Sequence, residues 1–120
     1  MKRLLLLLLL AAVAVAQYSP VTFKWSAMTA TGTTAALPLP YGFSQHTLQI
    51  LVTGSPSGCT VNLDGSLDGT HWFDLSGGQT CTSNTMFHVV SKPVAYVRGD
   101  LTALSGGSSP TVTISYEGIQ

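Results

Sequence analysis

Apolar and polar residues alternate with period two through most of the chain after residue 16, and Gly, Pro, Asn, Asp or Ser closes each alternating stretch. Val21, Phe23 and Trp25 alternate with Thr22, Lys24 and Ser26, which predicts a first strand with an aromatic inner face. Residues 29–40 are looser; a short strand fits 33–37, and Pro38 and Pro40 bar it from the centre of a sheet. His46, Leu48, Ile50 and Val52 share one face, opposite Thr47, Gln49, Leu51 and Thr53, in the clearest strand of the sequence. After the turn at 54–58, Cys59, Val61 and Leu63 continue one face, with Leu67 in phase. Asp68-Gly69 predicts a tight hairpin turn, because Gly takes the positive φ that the primed turns require. Further strands are expected at 71–75, 86–90, 94–101 and 111–116, with a polar loop at 76–84.

No stretch sustains a helical period. About seven or eight short strands with frequent turn signals predict an all-β chain: a single antiparallel β-sandwich, jelly-roll or immunoglobulin-like. A small closed barrel is the alternative.

Residues 1–16 break the pattern. Lys2 and Arg3 precede an apolar run from Leu4 to Ala16 that ends in Ala14-Val15-Ala16, the layout of a cleavable signal peptide with Gln17 as the new N-terminus. The run is shorter than the roughly 17–25 residues of a spanning helix, so no permanent membrane anchor is expected. The expected organisation is therefore a signal peptide at 1–16 and one sandwich domain at 17–120, located in a periplasm or outside the cell.

Charge is sparse. Beyond residue 16 there are three cations, Lys24, Lys92 and Arg98, against Asp64, Asp68, Asp74, Asp100 and Glu117. Phosphate binding needs clustered cations, so nucleic acid is not an expected partner. The two cysteines, Cys59 and Cys81, fall in a chain read as exported, and a disulfide is expected. Two thiols without a nearby His or a second pair fall short of a zinc site.

The run Asn62-Leu63-Asp64-Gly65-Ser66-Leu67-Asp68-Gly69-Thr70-His71-Trp72-Phe73-Asp74-Leu75, followed by Tyr96-Val97-Arg98 and the stretch to Gly107, carries a resemblance. It resembles small β-sandwich modules of bacteriophage structural proteins and secreted bacterial proteins, in which "GSLDGTxW" and "YVR" recur at about this separation. It is more distantly similar to discoidin-type, galactose-binding-like domains. The resemblance covers roughly residues 60–107 and implies a sandwich fold with a binding or assembly role.

Candidate chemistry gathers around the same hairpin. Trp72, with His71 and Asp74 beside it, offers an aromatic face with polar neighbours suited to a ligand. Tyr96 and Arg98 share a strand face, and parity places Asp100 as an acid for Arg98 to pair with. Asp64, Asp68 and Asp74 are weak calcium candidates: oxygen donors on a turn suit the ion, but their spacing is not that of an EF-hand. His46, His71 and His88 fall one per strand, and no Gly-x-Ser-x-Gly elbow is present. No cofactor and no enzymatic activity are expected. The leading expectation is a secreted, non-catalytic module that binds an exported protein or a polysaccharide. The alternative is self-association as a structural subunit of a virion or an extracellular filament.

Overall fold

Along the long strands, burial follows the sequence alternation. Leu48 and Ile50 are fully buried with Gln49 exposed between them, and Val112, Ile114 and Tyr116 are buried with half-buried Thr113 and Ser115 between them. The computed structural model describes residues 19–120. The signal peptide expected at 1–16 lies outside the described residues.

The strands in chain order are β1 (Val21–Lys24), β2 (Gly32–Thr33), β3 (Leu37–Pro38), β4 (Gln45–Thr53), β5 (Gly58–Ser66), β6 (Phe73–Asp74), β7 (Gln79–Thr80), β8 (Thr85–Val89), β9 (Tyr96–Ser105) and β10 (Thr111–Ile119). They form two antiparallel sheets, so the chain is an all-β sandwich. Sheet one has the order β1-β10-β4-β8. Sheet two is built on the long pair β9 and β5, with β2 and β3 along the free side of β9 and β6 and β7 along the free side of β5. Val61, Leu63, Val97 and Leu101 from sheet two meet Leu48, Ile50, Val112 and Ile114 from sheet one in the core.

Ten strands replace the expected seven or eight because both outer strands of sheet two are broken into two-residue pieces. At each break a side-chain hydroxyl takes over the role of a strand carbonyl. Thr34 Oγ1 accepts the Gly99 N–H (2.9 Å) beside β9, and Ser76 Oγ accepts the Leu63 N–H (2.9 Å) beside β5. The central strands thus keep their backbone donors satisfied where their neighbours bulge away.

Three expectations need correction. Phe23 is 42% exposed, because β1 is an edge strand; the ring packs edge-on against buried Trp25 at 5.4 Å. Leu67 does not continue the inner face of β5, because the chain leaves the sheet at Ser66. Asp68-Gly69 does not close a two-residue hairpin: residues 67–72 connect β5 to β6, and the strand expected at 71–75 shrinks to Phe73–Asp74.

The Cys59–Cys81 disulfide is present, with the two Cα atoms 4.9 Å apart and both residues buried. It joins the start of β5 to the residue after β7, where the Cys81 N–H also donates to the Cys59 carbonyl (3.0 Å).

Candidate functional site

The connection between β5 and β6 is an ordered arm rather than a slack loop. Asp68 holds its tip: Oδ1 accepts the N–H groups of Thr70 and His71, both at 2.8 Å, and Oδ2 accepts the His71 ring N–H at 2.7 Å. Ser66, buried at the root of the arm, accepts the Gly69 N–H with its hydroxyl (2.9 Å) and donates to Asp68 Oδ1 (3.1 Å). The donated bonds hold the Asp68 carboxyl well below its usual range, the His71 backbone N–H contributing most. Gly69 has φ 75° and packs on the Tyr96 ring, where a Cβ would stand 3.4 Å away.

Past the tip, the arm lies back over the outer face of sheet two. The Arg98 guanidinium carbon is 4.3 Å from the centre of the Trp72 ring, and Arg98 Nε donates to Asp64 Oδ2 at 3.2 Å. Asp64 and Arg98 are direct register partners on β5 and β9, which explains the pairing. Asp64 is buried although it points away from the core. That burial raises its carboxyl above the ordinary value, and the hydrogen bond from Arg98 opposes the shift.

The other side of the arm is mostly apolar and open. Leu67 is 77% and Phe73 69% exposed, and between them runs a groove of about 390 Å³ lined also by Leu75, Pro93 and Val94 and by the polar residues Ser66, Asp68 and His71. Gly65 forms part of its wall; a Cβ there would come within 2.6 Å of Leu75 Cδ1 and 2.8 Å of Val94 Cγ1. Lys92 Nζ donates to the Leu75 carbonyl (2.6 Å), tying the segment before β9 to the arm.

The site residues expected from sequence therefore divide. Trp72 and Arg98 come together, with Tyr96 on the same strand face as Arg98. Arg98 takes Asp64 and Trp72 as its partners, not Asp100. His71 turns to Asp68 at the tip. Asp74 stands opposite Asp64 as its register partner on β6, where its charge adds to the rise at Asp64, and its Oδ1 accepts the N–H groups of Ser76 and Gly77 at 3.0 Å. Asp64, Asp68 and Asp74 are each engaged by separate protein donors, and among the described residues no three His, Cys, Asp or Glu side chains gather as metal ligands would. Leu67 and Phe73 were missed as surface residues. The signal available for them was two apolar residues flanking a strong turn sequence with no room for a core beside it.

The histidines stay apart. His46, buried in sheet one, donates from Nε2 to the Lys92 carbonyl (2.9 Å) and accepts the Tyr116 hydroxyl at Nδ1 (2.6 Å). Burial lowers its pKa and raises that of Tyr116. His88 Nδ1 meets Thr47 Oγ1 at 2.8 Å on the outer face of the same sheet. A depression of about 340 Å³ runs past His46 and His88, and in it the His46 ring nitrogens are both already spent.

Fold and surface together define a two-sheet antiparallel sandwich that carries an apolar groove on a braced hairpin arm. Solved structures share this fold. The SPBc2 prophage-derived protein YomS matches with a TM-score of 0.59 and 12% identity, over 85% of this chain and 94% of that one. The PBSX exported protein XepA matches with a TM-score of 0.55 and 17% identity, over 85% of this chain and 38% of that one. No protein-family model and no curated protein matches the sequence.

Proposed function

We propose that the chain is an exported, non-catalytic module of prophage type that docks on a protein partner through the groove between Leu67 and Phe73. The observation that carries the reading is the pair itself: two large apolar side chains, mostly exposed, on an arm that hydrogen bonds and a stacked arginine hold in place. Apolar anchors on a rigid support bind at low ordering cost, and this is how the energetic centres of protein interfaces are built. Export is supported by the buried Cys59–Cys81 bridge, and the prophage assignment by the shared fold with YomS and XepA. A polysaccharide ligand has less support. Sugar stacking needs an open aromatic face; Trp72 gives one face to Arg98 and Tyr96 has Gly69 against its ring, which leaves Phe73 as the one mostly open ring of this site.

The test is binding of fluorescently labelled chain to cells and particles of the strain that encodes it. Binding that protease treatment of the target abolishes, periodate treatment spares and Leu67→Ser/Phe73→Ser removes is the expected result. Binding that periodate abolishes, or that the double variant retains, overturns the reading.

A further inference from the structure

The topology leaves four outer strand edges, and three of them carry features that obstruct pairing with another chain. β1 has four residues, follows Pro20 and ends in Lys24. The free side of β9 is covered by the two-residue pieces β2 and β3, the second containing Pro38. The free side of β5 is covered by β6 and β7, also two residues each and separated by the bend at 75–78. Broken strands, prolines and charges are how natural sheets block edge-to-edge association.

β8 has none of these features. Thr85-Met86-Phe87-His88-Val89 is a continuous five-residue strand without Lys, Arg, Asp, Glu, Pro or Gly. Met86 is 55% exposed, and Val90 just beyond it 62%. Among the described residues β8 pairs with β4 alone, so alternate N–H and C=O groups along it face outward. The nearest cation in sequence, Lys92, is turned away onto the Leu75 carbonyl, and Ser91 at φ 59° bends the chain off the strand line.

We propose that β8 is a self-association edge, at which two copies pair β8 to β8, antiparallel about a two-fold axis, and join two four-stranded sheets into one of eight. The occupant is a second copy because the strand suits its own image. An axis through Phe87 sets Met86 of one copy opposite His88 of the other, a thioether beside an aromatic ring, with no like charges apposed. The other described edges offer a partner two paired residues at a time, or the short β1 with its proline and lysine. A two-fold arrangement also closes on itself and yields a dimer rather than a fibre. This surface is separate from the hairpin groove, so the two proposals stand or fall independently.

The experiment is light scattering coupled to size exclusion across a wide concentration range, for the wild type, Met86→Lys/Val90→Lys and Leu67→Ser/Phe73→Ser. The expected result is a mass that rises with concentration toward twice that of one chain for the wild type and the groove variant, and a single-chain mass throughout for the β8 variant with unchanged circular dichroism. Hydrogen exchange supplies a measurement that needs no variant: β8 amides gain protection as wild-type concentration rises. A wild type that stays monomeric, a dimer that the β8 lysines leave intact, a dimer lost in the groove variant, or β8 exchange independent of concentration would each overturn the proposal.

Discussion

The indole of Trp72 is stacked on the guanidinium of Arg98, 4.3 Å from ring centre to guanidinium carbon, and the arginine is held in turn by Asp64 on the neighbouring strand. The contact fixes the hairpin arm to the outer face of sheet two. Because the groove residues Leu67 and Phe73 sit on the same arm, a cation–aromatic contact on one side sets the geometry of an apolar surface on the other.

Trp72→Ala removes that brace. A cation–π contact contributes about 0.5–2 kcal/mol, so global stability is expected to fall by about 1 kcal/mol while amide exchange in residues 67–72 speeds up well beyond the rest of the domain. Arg98→Lys is expected to loosen the arm similarly, since an ammonium keeps the charge but has neither the planar face nor Nε. Exchange measured by mass spectrometry on both variants checks this; an arm as protected as in the wild type would show that the stack is not what holds it.

Much of the core was legible in the sequence, because β4, β5 and β10 each have one face buried and one exposed or polar. The broken edges were not: two-residue strands such as β6 and β7 carry too few positions for a period. Leu67 kept the phase of β5 but not its sheet, since periodicity does not mark where a strand ends. Parity along its own strand points Arg98 to Asp100, but same-face neighbours on a strand stand about 6.6 Å apart. Its partner Asp64 faces it across the ladder at about 5 Å, a distance that only strand order reveals.

Cys59→Ser/Cys81→Ser opens a loop spanning a sequence separation of 22, which on the chain-entropy model costs about 3 kcal/mol of stability. Urea denaturation of the oxidised wild type and the double variant tests the figure. A loss below about 1 kcal/mol would mean that the packing of β5 against β7 carries the region without the bond.

His46 gives the fold a pH dependence of defined sign. Its folded pKa lies below the ordinary 6.5 because burial disfavours the imidazolium, so on acidification the unfolded chain takes up the proton first. The stability associated with neutral His46 is fully present above about pH 6.5 and is lost as the pH falls from there through the lower folded value. Asp64, whose carboxyl is raised, works in the opposite direction but only toward the carboxylate range. Unfolding midpoints for the wild type and His46→Gln between about pH 7.5 and 5.5 are expected to show a falling trend only in the wild type.

Leu67→Ser/Phe73→Ser removes exposed apolar surface without opening a cavity. Stability is expected to stay within about 0.5 kcal/mol of the wild type, while retention on a hydrophobic interaction column falls. A large loss of stability would place the two side chains in the core rather than on a binding surface.

The hydroxyls of Thr34 and Ser76 give the scaffold room to change length. Each satisfies a central-strand donor at the point where the edge chain departs, so residues inserted after either would swing into solvent without unpairing β9 or β5. The two breaks are thus natural ports for grafting or for evolutionary insertion, one on each flank of the same sheet.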